Sequence, residues 1–548
     1  MRKDIPRPWQ AAYPSGISAD YDPPPITLAE LFLTATERHG NRVAISYAGE
    51  NVSYGMLRSQ VLALADSLAR KGIGGGQTVA LLLPNCLHHP LFFFATLMTG
   101  ARLTQLSPLD AIRELEHKCH DSDARSLVTL DCEPYLANAL ALLEGGFVDE
   151  IILCRDPLSE PGAWPDLPEI TCAEKLISSG SPGKAPACPA NLEDIALLQY
   201  TGGTTGQPKA AMLSHRNLTA SAQIYAHWFA PESDGTARNV LVCAPFFHIQ
   251  GLTTGLLRHL HEGSRIVLHQ RFDAGQVMAT LAAERITDFS GVPTMWIGLS
   301  AFDRAVWQRC AALRYIGSGA APLPPDLYRK ILDLTGLGLR GGWGMTETSP
   351  AGTHVPPGLP DDKIGTIGVP LPGVDIVIAD KDDASRLMPI GAAGEMLIRG
   401  PNVTSGYWKR PEETAEAFHN GWFLTGDIAR MDADGFFYLL DRKKDLILSG
   451  GFNVYPQAVE NAIRRHPDVA EALVVGVPDA YRGESAKAHI ILRPGCPTLS
   501  LEALRDFLAP HLGRHELPAA LEIRQTLPTS GVGKYSRKAL RNEGANGD

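Results

Sequence analysis

Two short stretches of this 548-residue chain combine residue types suited to a polyphosphate. Residues 201–209 read Thr-Gly-Gly-Thr-Thr-Gly-Gln-Pro-Lys, so three glycines, three threonines and a lysine occur within nine residues. Backbone N–H groups, hydroxyls and one cation can all face phosphate oxygens in such a segment. Far downstream, Lys534 lies in Gly-Val-Gly-Lys-Tyr-Ser-Arg near the C-terminus. Together the two stretches indicate a nucleotide-activating enzyme whose last catalytic group comes from a separate module.

The two best-known nucleotide-binding motifs are absent. A Walker A loop requires Gly-x-x-x-x-Gly-Lys-Ser/Thr, and Lys534 is followed by Tyr535 instead. Residues 317–322 follow a predicted strand, but they lack the third glycine of a dinucleotide fingerprint and place Pro322 where a helix should propagate. A P-loop and an NAD site are therefore excluded for these segments.

Composition narrows the class of protein. A net charge of −10 and a charged fraction of 20% give no global attraction to nucleic acid or to an anionic membrane. The nine cysteines are scattered and odd in number, without a Cys-x-x-Cys pair, which is typical of reduced cytosolic thiols. The most apolar run, residues 91–98, is far shorter than the ~20 residues needed to cross a bilayer. We expect a cytoplasmic protein without a transmembrane segment or a nucleic-acid partner.

Apolar periodicity predicts an α/β protein. Leu28, Leu31 and Phe32 share one face of a helix, whereas residues 42–46 and 78–83 are typical of buried strands. Helical and strand patterns alternate along the chain, as a layered sheet requires. The Pro/Gly/Ser-rich stretch 159–190 is predicted to be an exposed connection, and the polar tail 531–540 is predicted to be exposed.

The length and the charge pattern predict two domains. A chain of 548 residues exceeds what one hydrophobic core usually organises. The charged run Asp441-Arg-Lys-Lys-Asp445 separates two apolar stretches, after which the sequence restarts as a compact α/β unit of about a hundred residues. In that unit, Pro456 is predicted to begin a helix, and Leu501, Leu504 and Leu508 to share one face of another. We place the boundary between an N-terminal domain, 1–441, and a C-terminal domain, 442–548.

Six motifs in fixed order carry a resemblance to a known family. They are residues 201–209, residues 317–322, Gly-Gly-Trp-Gly-Met-Thr-Glu-Thr-Ser at 341–349, Trp-Phe-Leu-Thr-Gly-Asp at 422–427, the charged run at 441–445 and the Lys534 tail. This series resembles the ANL superfamily of adenylate-forming enzymes, which includes acyl- and aryl-CoA synthetases. The resemblance extends over nearly the whole chain, from about Leu28 to Leu540.

The resemblance implies a fold and a two-step reaction. It implies a large N-terminal domain of packed sheets and helices and a small mobile C-terminal α/β domain that rotates between the two steps. ATP and a carboxylic acid would first give an acyl-adenylate and pyrophosphate, and the thiol of coenzyme A would then displace AMP.

The resemblance also implies contacts for the phosphates and for Mg²⁺. The phosphate loop comprises Thr201, Gly202, Gly203, Thr204, Thr205, Gly206 and Lys209, although the glycine usual after the lysine is Ala210 here. Thr346 corresponds to a further phosphate contact and Glu347 to the Mg²⁺ ligand. An oxygen ligand suits Mg²⁺, which would spread the charge of the leaving pyrophosphate. Without the resemblance, Glu347 would be interpreted as a helix-capping partner.

The remaining implied roles concern the nucleoside, the acyl transfer and the thiol. Adenine would stack on Trp343, beside the segment Gly344 and Met345, and be enclosed by Gly319, Ala320, Ala321 and Pro322. Asp427 would accept the ribose hydroxyls, and Arg442 would make a second ribose or phosphate contact. Lys534 would bridge the substrate carboxylate and the α-phosphate, stabilising developing charge. His248 would gate the acyl pocket, and Gly450 and Gly451 would line the thiol tunnel.

Several of these residues also have ordinary structural interpretations. Trp343 is also compatible with a core tryptophan, His248 with a hydrogen-bonded core histidine and Lys534 with an exposed lysine. Asp427 within Thr-Gly-Asp would on its own indicate only a turn.

We expect an ATP-dependent acid:CoA ligase acting on a medium- or long-chain fatty acid. The preference for a fatty acid comes from the resemblance of residues 200–206 and 532–534 to fatty acyl-CoA synthetases. An aryl or short-chain acid is expected instead if Trp296 closes the acyl tunnel. Three rival hypotheses are an acyl-AMP ligase that loads a carrier protein, a catalytically silent homologue and, last, a luciferase-type oxidation. The sequence leaves the oligomeric state and any peripheral membrane contact open.

Overall fold

The structure is a computed structural model that describes residues 6–160, 162, 164–183, 190–201, 208–232, 235–319, 323–449, 452–479, 482–529 and 535–545. The chain forms two compact units. The first comprises Met1–Ile376, Ile398–Phe423 and Asp434–Phe436. The second comprises Val377–Leu397, Leu424–Ala433 and Phe437–Asp548. The second unit is thus assembled from three stretches of sequence, and the domain boundary between residues 441 and 442 stays a prediction.

The strands in chain order are β1 (Val43–Tyr47), β2 (Glu50–Ser53), β3 (Thr78–Leu82), β4 (Arg102–Gln105), β5 (Ala124–Leu130), β6 (Glu150–Cys154), β7 (Ile170–Cys172), β8 (Ile195–Thr201), β9 (Lys209–Ser214), β10 (Asn239–Val242), β11 (Arg265–Leu268), β12 (Asp288–Gly291), β13 (Tyr315–Ser318), β14 (Arg340–Gly341), β15 (Thr353–His354), β16 (Val369–Pro370), β17 (Asp375–Ala379), β18 (Gly394–Arg399), β19 (Phe418–His419), β20 (Trp422–Met431), β21 (Phe437–Arg442), β22 (Ile447–Ser449), β23 (Phe452–Val454), β24 (Val469–Asp479), β25 (Gly483–Leu492) and β26 (Ala520–Ile523).

The α-helices in chain order are α1 (Leu28–Arg38), α2 (Tyr54–Arg70), α3 (His88–Met98), α4 (Ile112–Asp121), α5 (Tyr135–Glu144), α6 (Ala173–Ser179), α7 (His215–Phe229), α8 (Arg258–Glu262), α9 (Ala274–Ala283), α10 (Pro293–Leu299), α11 (Arg304–Trp307), α12 (Pro325–Thr335), α13 (Pro411–Glu416), α14 (Pro456–Ile463), α15 (Leu501–Leu508) and α16 (Arg537–Ala545). A π-helix, Gly251–Leu257, leads directly into α8.

Two seven-stranded sheets organise the first unit. One has the order β7-β6-β5-β3-β4-β8-β9 and is parallel except that β9 runs antiparallel to β8. The other has the order β14-β13-β12-β10-β11-β1-β2 and is parallel except for β2. This confirms the predicted α/β class.

Strand alternation divides the core of the first unit into layers. Val79 and Leu81 of β3 lie in a central cluster with α1, α2 and α3, whereas Ala80 and Leu82 lie in an outer cluster with α4 and α5. Likewise, Val240 of β10 points to the central cluster. Its neighbour Leu241 packs on the opposite face, with α9, α10 and α12. Because successive strand side chains point to opposite faces, each sheet is covered by helices on both sides.

The second unit contains two smaller sheets. In one, β17, β18, β20 and β21 follow one another. In the other, the order is β23-β22-β25-β24, and β26 pairs in parallel with β25. Helix α14 begins with Pro456 and α15 buries Leu504 and Leu508, as predicted.

Two sequence-based expectations are wrong. Within the stretch 159–190, the described residues include β7 and α6, and α6 buries Ala173 and Leu176 in the central cluster. The predicted exposed tail includes Leu540, which is buried in α16 against Leu473 and Leu527. In both segments a few well-spaced apolar residues outweigh a polar average composition.

Candidate active site

The carboxyl ends of four neighbouring parallel strands bring several predicted site residues to one edge of the second sheet. His248 follows β10, Gly319 follows β13, and Trp343 follows β14. The Gly319 N–H donates to the Gly291 carbonyl at the end of β12, 3.1 Å away. Crevices at the carboxyl ends of open parallel sheets are the usual ligand sites of α/β proteins.

Gly319 lies directly against the segment that carries His248. A Cβ atom added to Gly319 would come within 2.5 Å of the Gln250 amide nitrogen. The Gln250 backbone N–H in turn approaches His248 Nδ1 at 3.4 Å. The half-buried His248 is therefore held beside the predicted adenine-binding segment, of which Ala320, Ala321 and Pro322 lie outside the described residues.

A tight turn after β14 presents Thr346 and Glu347. Residues Thr346–Thr348 form one 3₁₀ turn that ends at Ser349 in the left-handed region, with φ of 59°. The turn begins at Gly344, where a Cβ atom would lie only 1.4 Å from the Pro350 carbonyl oxygen. No residue larger than glycine fits there without moving the turn. The backbone of the turn therefore requires the glycine that begins the Gly-Met-Thr-Glu sequence.

A second segment, residues 402–407, holds this turn in place. The buried Asn402 amide donates to the Thr348 and Ala351 carbonyls at 2.8 and 2.6 Å. The Thr404 N–H donates to the Glu347 carbonyl at 2.7 Å. The Tyr407 hydroxyl donates to Glu347 Oε1 at 2.9 Å, and the Glu347 residue is only 5% exposed. Burial and the nearby Glu347 charge raise the pKa of Tyr407 well above its usual range, so its phenol remains a donor.

The predicted phosphate loop joins two paired strands. Thr201 ends β8 and Lys209 begins β9; the two residues are directly opposite in the antiparallel register. Gly202, Gly203, Thr204, Thr205 and Gly206 between them lie outside the described residues. The Lys209 ammonium is 5.5 Å from the centroid of the Tyr407 ring and 3.7 Å from Glu413 Oε1.

Tyr407 therefore connects two motifs that are far apart in sequence. Its ring lies beneath Lys209 of the phosphate loop, and its hydroxyl binds Glu347, the predicted Mg²⁺ ligand. Neither Tyr407 nor Asn402 was identified from the sequence. The only signal was a run of turn-forming residues, Gly-Pro-Asn-Val-Thr-Ser-Gly, ahead of an aromatic residue.

Trp343 and Trp296 are both buried aromatic residues near this edge. Trp343 is 7% exposed, its backbone N–H donates to Thr353 Oγ1 at 3.1 Å, and its ring packs over Gly352. Trp296 is fully buried, and its indole N–H donates to the Gly317 carbonyl at 2.9 Å. Adenine stacking on Trp343 and closure of the acyl tunnel by Trp296 stay predictions.

In the second unit, Asp427 and Arg442 face each other across β20 and β21. They are register partners, and Arg442 Nε is 2.5 Å from Asp427 Oδ1. Glu395 supports the same region, because it accepts from the Gly426 N–H at 3.1 Å and from Lys443 Nζ at 2.8 Å. Asp427 itself is 1% exposed.

A cavity of about 350 Å³ opens beside this pair. It is lined by Thr425, Gly426, Arg442, Lys443 and Lys444. Arg442 and Lys443 are paired with Asp427 and Glu395, so the lining combines cations with carboxylates. Such a mixture suits a ligand that carries both hydroxyl and phosphate groups, such as a nucleotide.

The residues on either side of Lys534 are joined to each other. Thr529 and Tyr535 form an isolated antiparallel bridge, and the Ser536 N–H donates to the Pro528 carbonyl at 2.9 Å. Lys534 lies outside the described residues, as do Gly450 and Gly451.

The described part of the chain shows neither a metal cluster nor a membrane span. Within the ranges given above, no group of three or more His, Cys, Asp or Glu side chains has the geometry to hold a metal ion. Among the same residues, no helix is both long and apolar enough to cross a bilayer.

Comparisons with known proteins agree with this architecture. The family model described as AMP-binding enzyme matches residues 32–408, and that of the AMP-binding enzyme C-terminal domain matches residues 458–534. The long-chain-fatty-acid–CoA ligase of Bacillus subtilis (strain 168) is 34% identical over 554 residues, covering 98% of each chain. The feruloyl-CoA synthase of an Amycolatopsis species is 36% identical over 501 residues, covering 91% of this chain and 95% of that one.

The solved structures give the same result. ATP-bound MatB from Rhodopseudomonas palustris matches with a TM-score of 0.84 at 27% identity, covering 94% of this chain and 99% of that one. The predicted ANL fold is confirmed. The chain belongs to the AMP-binding enzymes, within the ANL superfamily of adenylate-forming enzymes, and it is an AMP-forming acid:CoA ligase.

Proposed function

We propose that the enzyme converts a medium- or long-chain fatty acid into its CoA thioester in two steps. In the first, a carboxylate oxygen attacks the α-phosphorus of ATP and the α–β phosphoanhydride bond breaks, which releases pyrophosphate. In the second, the sulfur of coenzyme A attacks the acyl carbon and AMP leaves with the bonding electron pair. The observation that carries the proposal is the link that Tyr407 makes between Lys209 and Glu347.

The first unit would hold the triphosphate. Lys209 and the hydroxyls of Thr201 and Thr346 supply one cation and two hydrogen-bond donors for phosphate oxygens, together with the intervening glycine-rich loop. Glu347 offers a buried oxygen ligand, the donor type that Mg²⁺ prefers, and Mg²⁺ would offset charge on the departing pyrophosphate.

The nucleoside and the reacting centre would be held by further residues. Asp427 and Arg442 would contact the ribose, and Trp343 and Gly319 would enclose the adenine. Lys534, on a C-terminal domain that includes residues 442–548, would bridge the carboxylate and the α-phosphate during adenylation. His248, Gly450 and Gly451 would line the path of the thiol.

The choice of acid has two candidates. The Bacillus subtilis relative is named a long-chain-fatty-acid–CoA ligase, and that name together with 98% coverage of both chains supports a fatty acid. The Amycolatopsis relative is named a feruloyl-CoA synthase, and it makes an aromatic acid the second candidate. The fixed, fully buried Trp296 is compatible with a short, flat acyl pocket.

The test is release of AMP and pyrophosphate from ATP with acetate, octanoate, palmitate, benzoate and a hydroxycinnamate, each with and without coenzyme A. CoA-dependent turnover of octanoate or palmitate is expected. Faster turnover of the hydroxycinnamate would show that the substrate is an aryl acid and not a fatty acid. Pyrophosphate exchange without CoA turnover would indicate a carrier-protein acceptor, and inactivity with every acid would overturn the proposal.

The role of Lys534 has its own test. Lys534→Ala is expected to abolish adenylate formation and to leave CoA transfer from a supplied acyl-adenylate largely intact, because its charge is needed only while the α-phosphate reacts. Equal loss of both steps would contradict the role.

We also infer that the enzyme works in the cytoplasm. The eight cysteines among the described residues are all free thiols, as a reducing compartment favours.

A further inference from the structure

One arginine in the second unit is surrounded by three carboxylates. Arg537 lies 2.8 Å from Glu460 Oε1, 3.0 Å from Asp441 Oδ1 and 3.5 Å from Asp445 Oδ2. Its side chain is 15% exposed, and those of Glu460 and Asp441 are 5% and 1% exposed. Charged side chains are rarely buried unless they are paired with an opposite charge, as Arg537 and these carboxylates are.

The three carboxylates come from different elements. Asp441 is in β21, Asp445 ends the turn that follows β21, and Glu460 is in α14. Arg537 is the first residue of α16. The guanidinium therefore joins the start of the last helix to the segment that carries Arg442.

Two of the three carboxylates also accept hydrogen bonds from backbone groups, which fixes their positions. Asp441 accepts from the backbone N–H groups of Arg442 and Gln457 at 2.8 and 2.7 Å. Glu460 accepts from the Val474 N–H at 2.9 Å. Burial raises the pKa of Asp441 and of Glu460, and the Arg537 charge opposes that rise. Arg537 thus opposes the effect of burial at both carboxylates, and Arg464, 3.7 Å from Glu460 Oε2, does so at Glu460 as well.

The position of the cluster relates it to the reaction. Arg537 is three residues after Lys534, and Asp441 immediately precedes Arg442. Arg537 therefore links the start of α16, which follows Lys534 in sequence, to the segment that carries Arg442. Arg541 of the same helix, 3.0 Å from Asp445 Oδ1, adds a second ion pair to the turn after β21. The inference that follows depends on the role proposed above for Lys534.

We propose that Arg537 is a positioning residue for adenylation: it fixes the start of α16, three residues after Lys534 in sequence, to the β21 segment that carries Arg442, and the adenylation step requires this anchor. Buried ion pairs add little net stability compared with apolar packing of similar volume. Their value lies in fixing geometry, which the planar, forked guanidinium does better than a lysine ammonium.

The test compares Arg537→Lys with wild type in each half-reaction. Arg537→Lys keeps the charge but loses the fork, so Lys534 is misplaced while the cluster retains a cation. We expect acid-dependent ATP–pyrophosphate exchange to fall about 100-fold, the size of effect that a misplacement of about 1 Å produces. CoA transfer from a supplied acyl-adenylate should change less than about twofold.

Arg524→Lys is the matched control. Arg524 also forms an ion pair with α16, 2.7 Å from Glu543, but it has no contact with Asp441, Asp445 or Glu460 among the contacts of the described residues. The Arg524→Lys variant should leave the rates of both half-reactions unchanged. A purely structural role of Arg537 would lower both half-reactions together, because both require a folded second unit.

A double variant separates this inference from the proposed function. If Arg537 acts through Lys534, Arg537→Lys adds no further loss to the trace of exchange that Lys534→Ala retains when it is assayed at high enzyme concentration. The same 100-fold loss in that background, equal losses in both half-reactions, or no loss at all would overturn the inference. Normal adenylation by Lys534→Ala itself would instead overturn the proposed function.

Discussion

At the scale of single residues, the predicted phosphate contact Lys209 and the predicted Mg²⁺ ligand Glu347 share one neighbour that no sequence motif indicates. Tyr407 places its ring beneath Lys209 and its hydroxyl on Glu347. A tyrosine is suited to this double task because its face attracts a cation and its O–H donates to a carboxylate. The predicted phosphate and Mg²⁺ contacts therefore depend on a side chain that belongs to neither motif.

Tyr407→Phe tests this contact, since it keeps the ring and removes the hydroxyl. A hydrogen bond to a charged group contributes about 1.5 kcal/mol or more, which corresponds to about tenfold in an equilibrium constant. We expect the Mg²⁺ concentration for half-maximal pyrophosphate release to rise about tenfold. Tyr438→Phe, which removes a phenol donor to Asp432 at 3.2 Å, is the control and should not change it. An unchanged Mg²⁺ requirement in Tyr407→Phe would contradict the role.

The sequence predicted residues whose chemistry is carried by a local pattern and missed those whose role depends on tertiary contact. Glu347 lies three residues after Gly344, a position that tolerates no side chain, and Asp427 directly follows Thr-Gly. Each therefore has a local sequence signature. Tyr407 has none, because its two partners are 60 and 198 positions away in the sequence. The spacing of residues along the chain cannot predict a tertiary contact between positions so far apart.

At the scale of elements, the strands and helices with strong apolar periodicity were predictable from the sequence. The side-chain hydrogen bonds that connect one element to another were not. Residues 42–46 and 78–83 form β1 and β3 nearly as predicted, because continuous apolar runs have few other stable arrangements. The short helix α6 was missed, since only Ala173 and Leu176 signal its buried face within a polar stretch.

The Asn85 side chain makes hydrogen bonds of this kind between the two large sheets. It is 1% exposed and follows β3 in the first sheet. Its amide nitrogen donates to the Ala244 and His269 carbonyls, both at 3.1 Å, and its oxygen accepts from the Phe246 N–H at 2.8 Å. The two carbonyls follow β10 and β11 of the second sheet. One side chain thus connects the carboxyl ends of strands in both sheets. The bonded segment, residues 244–246, lies just before His248 in sequence.

Asn85→Ala should therefore be strongly destabilising. Three buried backbone groups lose their partner, and leaving such groups unsatisfied costs about 1–3 kcal/mol each, so we expect a loss of roughly 3 kcal/mol or more in the free energy of unfolding. Urea denaturation measures this loss. Asn41→Ala, at an exposed asparagine in the turn before β1, is the control and should change stability by no more than about 0.5 kcal/mol. A loss below about 1 kcal/mol for Asn85→Ala would show that Asn85 does not join the sheets.

At the scale of the whole molecule, the second unit is discontinuous in sequence, since it includes Val377–Leu397 and Leu424–Ala433 besides Phe437–Asp548. The boundary between residues 441 and 442 stays a prediction. Apolar periodicity reports which residues are buried and gives no information on which distant strands share a sheet. That pairing is decided by tertiary packing, which a single sequence does not display.

The buried histidines give the molecule a pH dependence whose direction can be worked out. Burial lowers the pKa of His89 to about 3 and that of His215 to about 4. With Arg340 and Arg258 nearby, burial also lowers the pKa of His354 to about 3. Each is neutral in the folded protein, whereas an unfolded histidine takes up a proton near pH 6.5. Protons thus bind preferentially to the unfolded chain below pH 6.5, and stability falls as the pH decreases from there towards the folded pKa values.

His89→Leu isolates one of these contributions. At pH 5, about 1.5 units below the unfolded pKa, each such histidine costs about 2 kcal/mol of stability that is present at pH 7. His89 is fully buried, packs against Phe93 and Phe246, and its Nε2 lies 3.3 Å from the Gln105 amide nitrogen. Leucine cannot titrate, and the loss of the Gln105 contact is a packing cost that does not change with pH. The loss of unfolding free energy between pH 7 and pH 5, measured by urea denaturation, should be about 2 kcal/mol smaller in His89→Leu than in wild type. Any constant packing cost of the substitution cancels in this difference, so an unchanged pH dependence would mean that His89 is protonated in the folded protein.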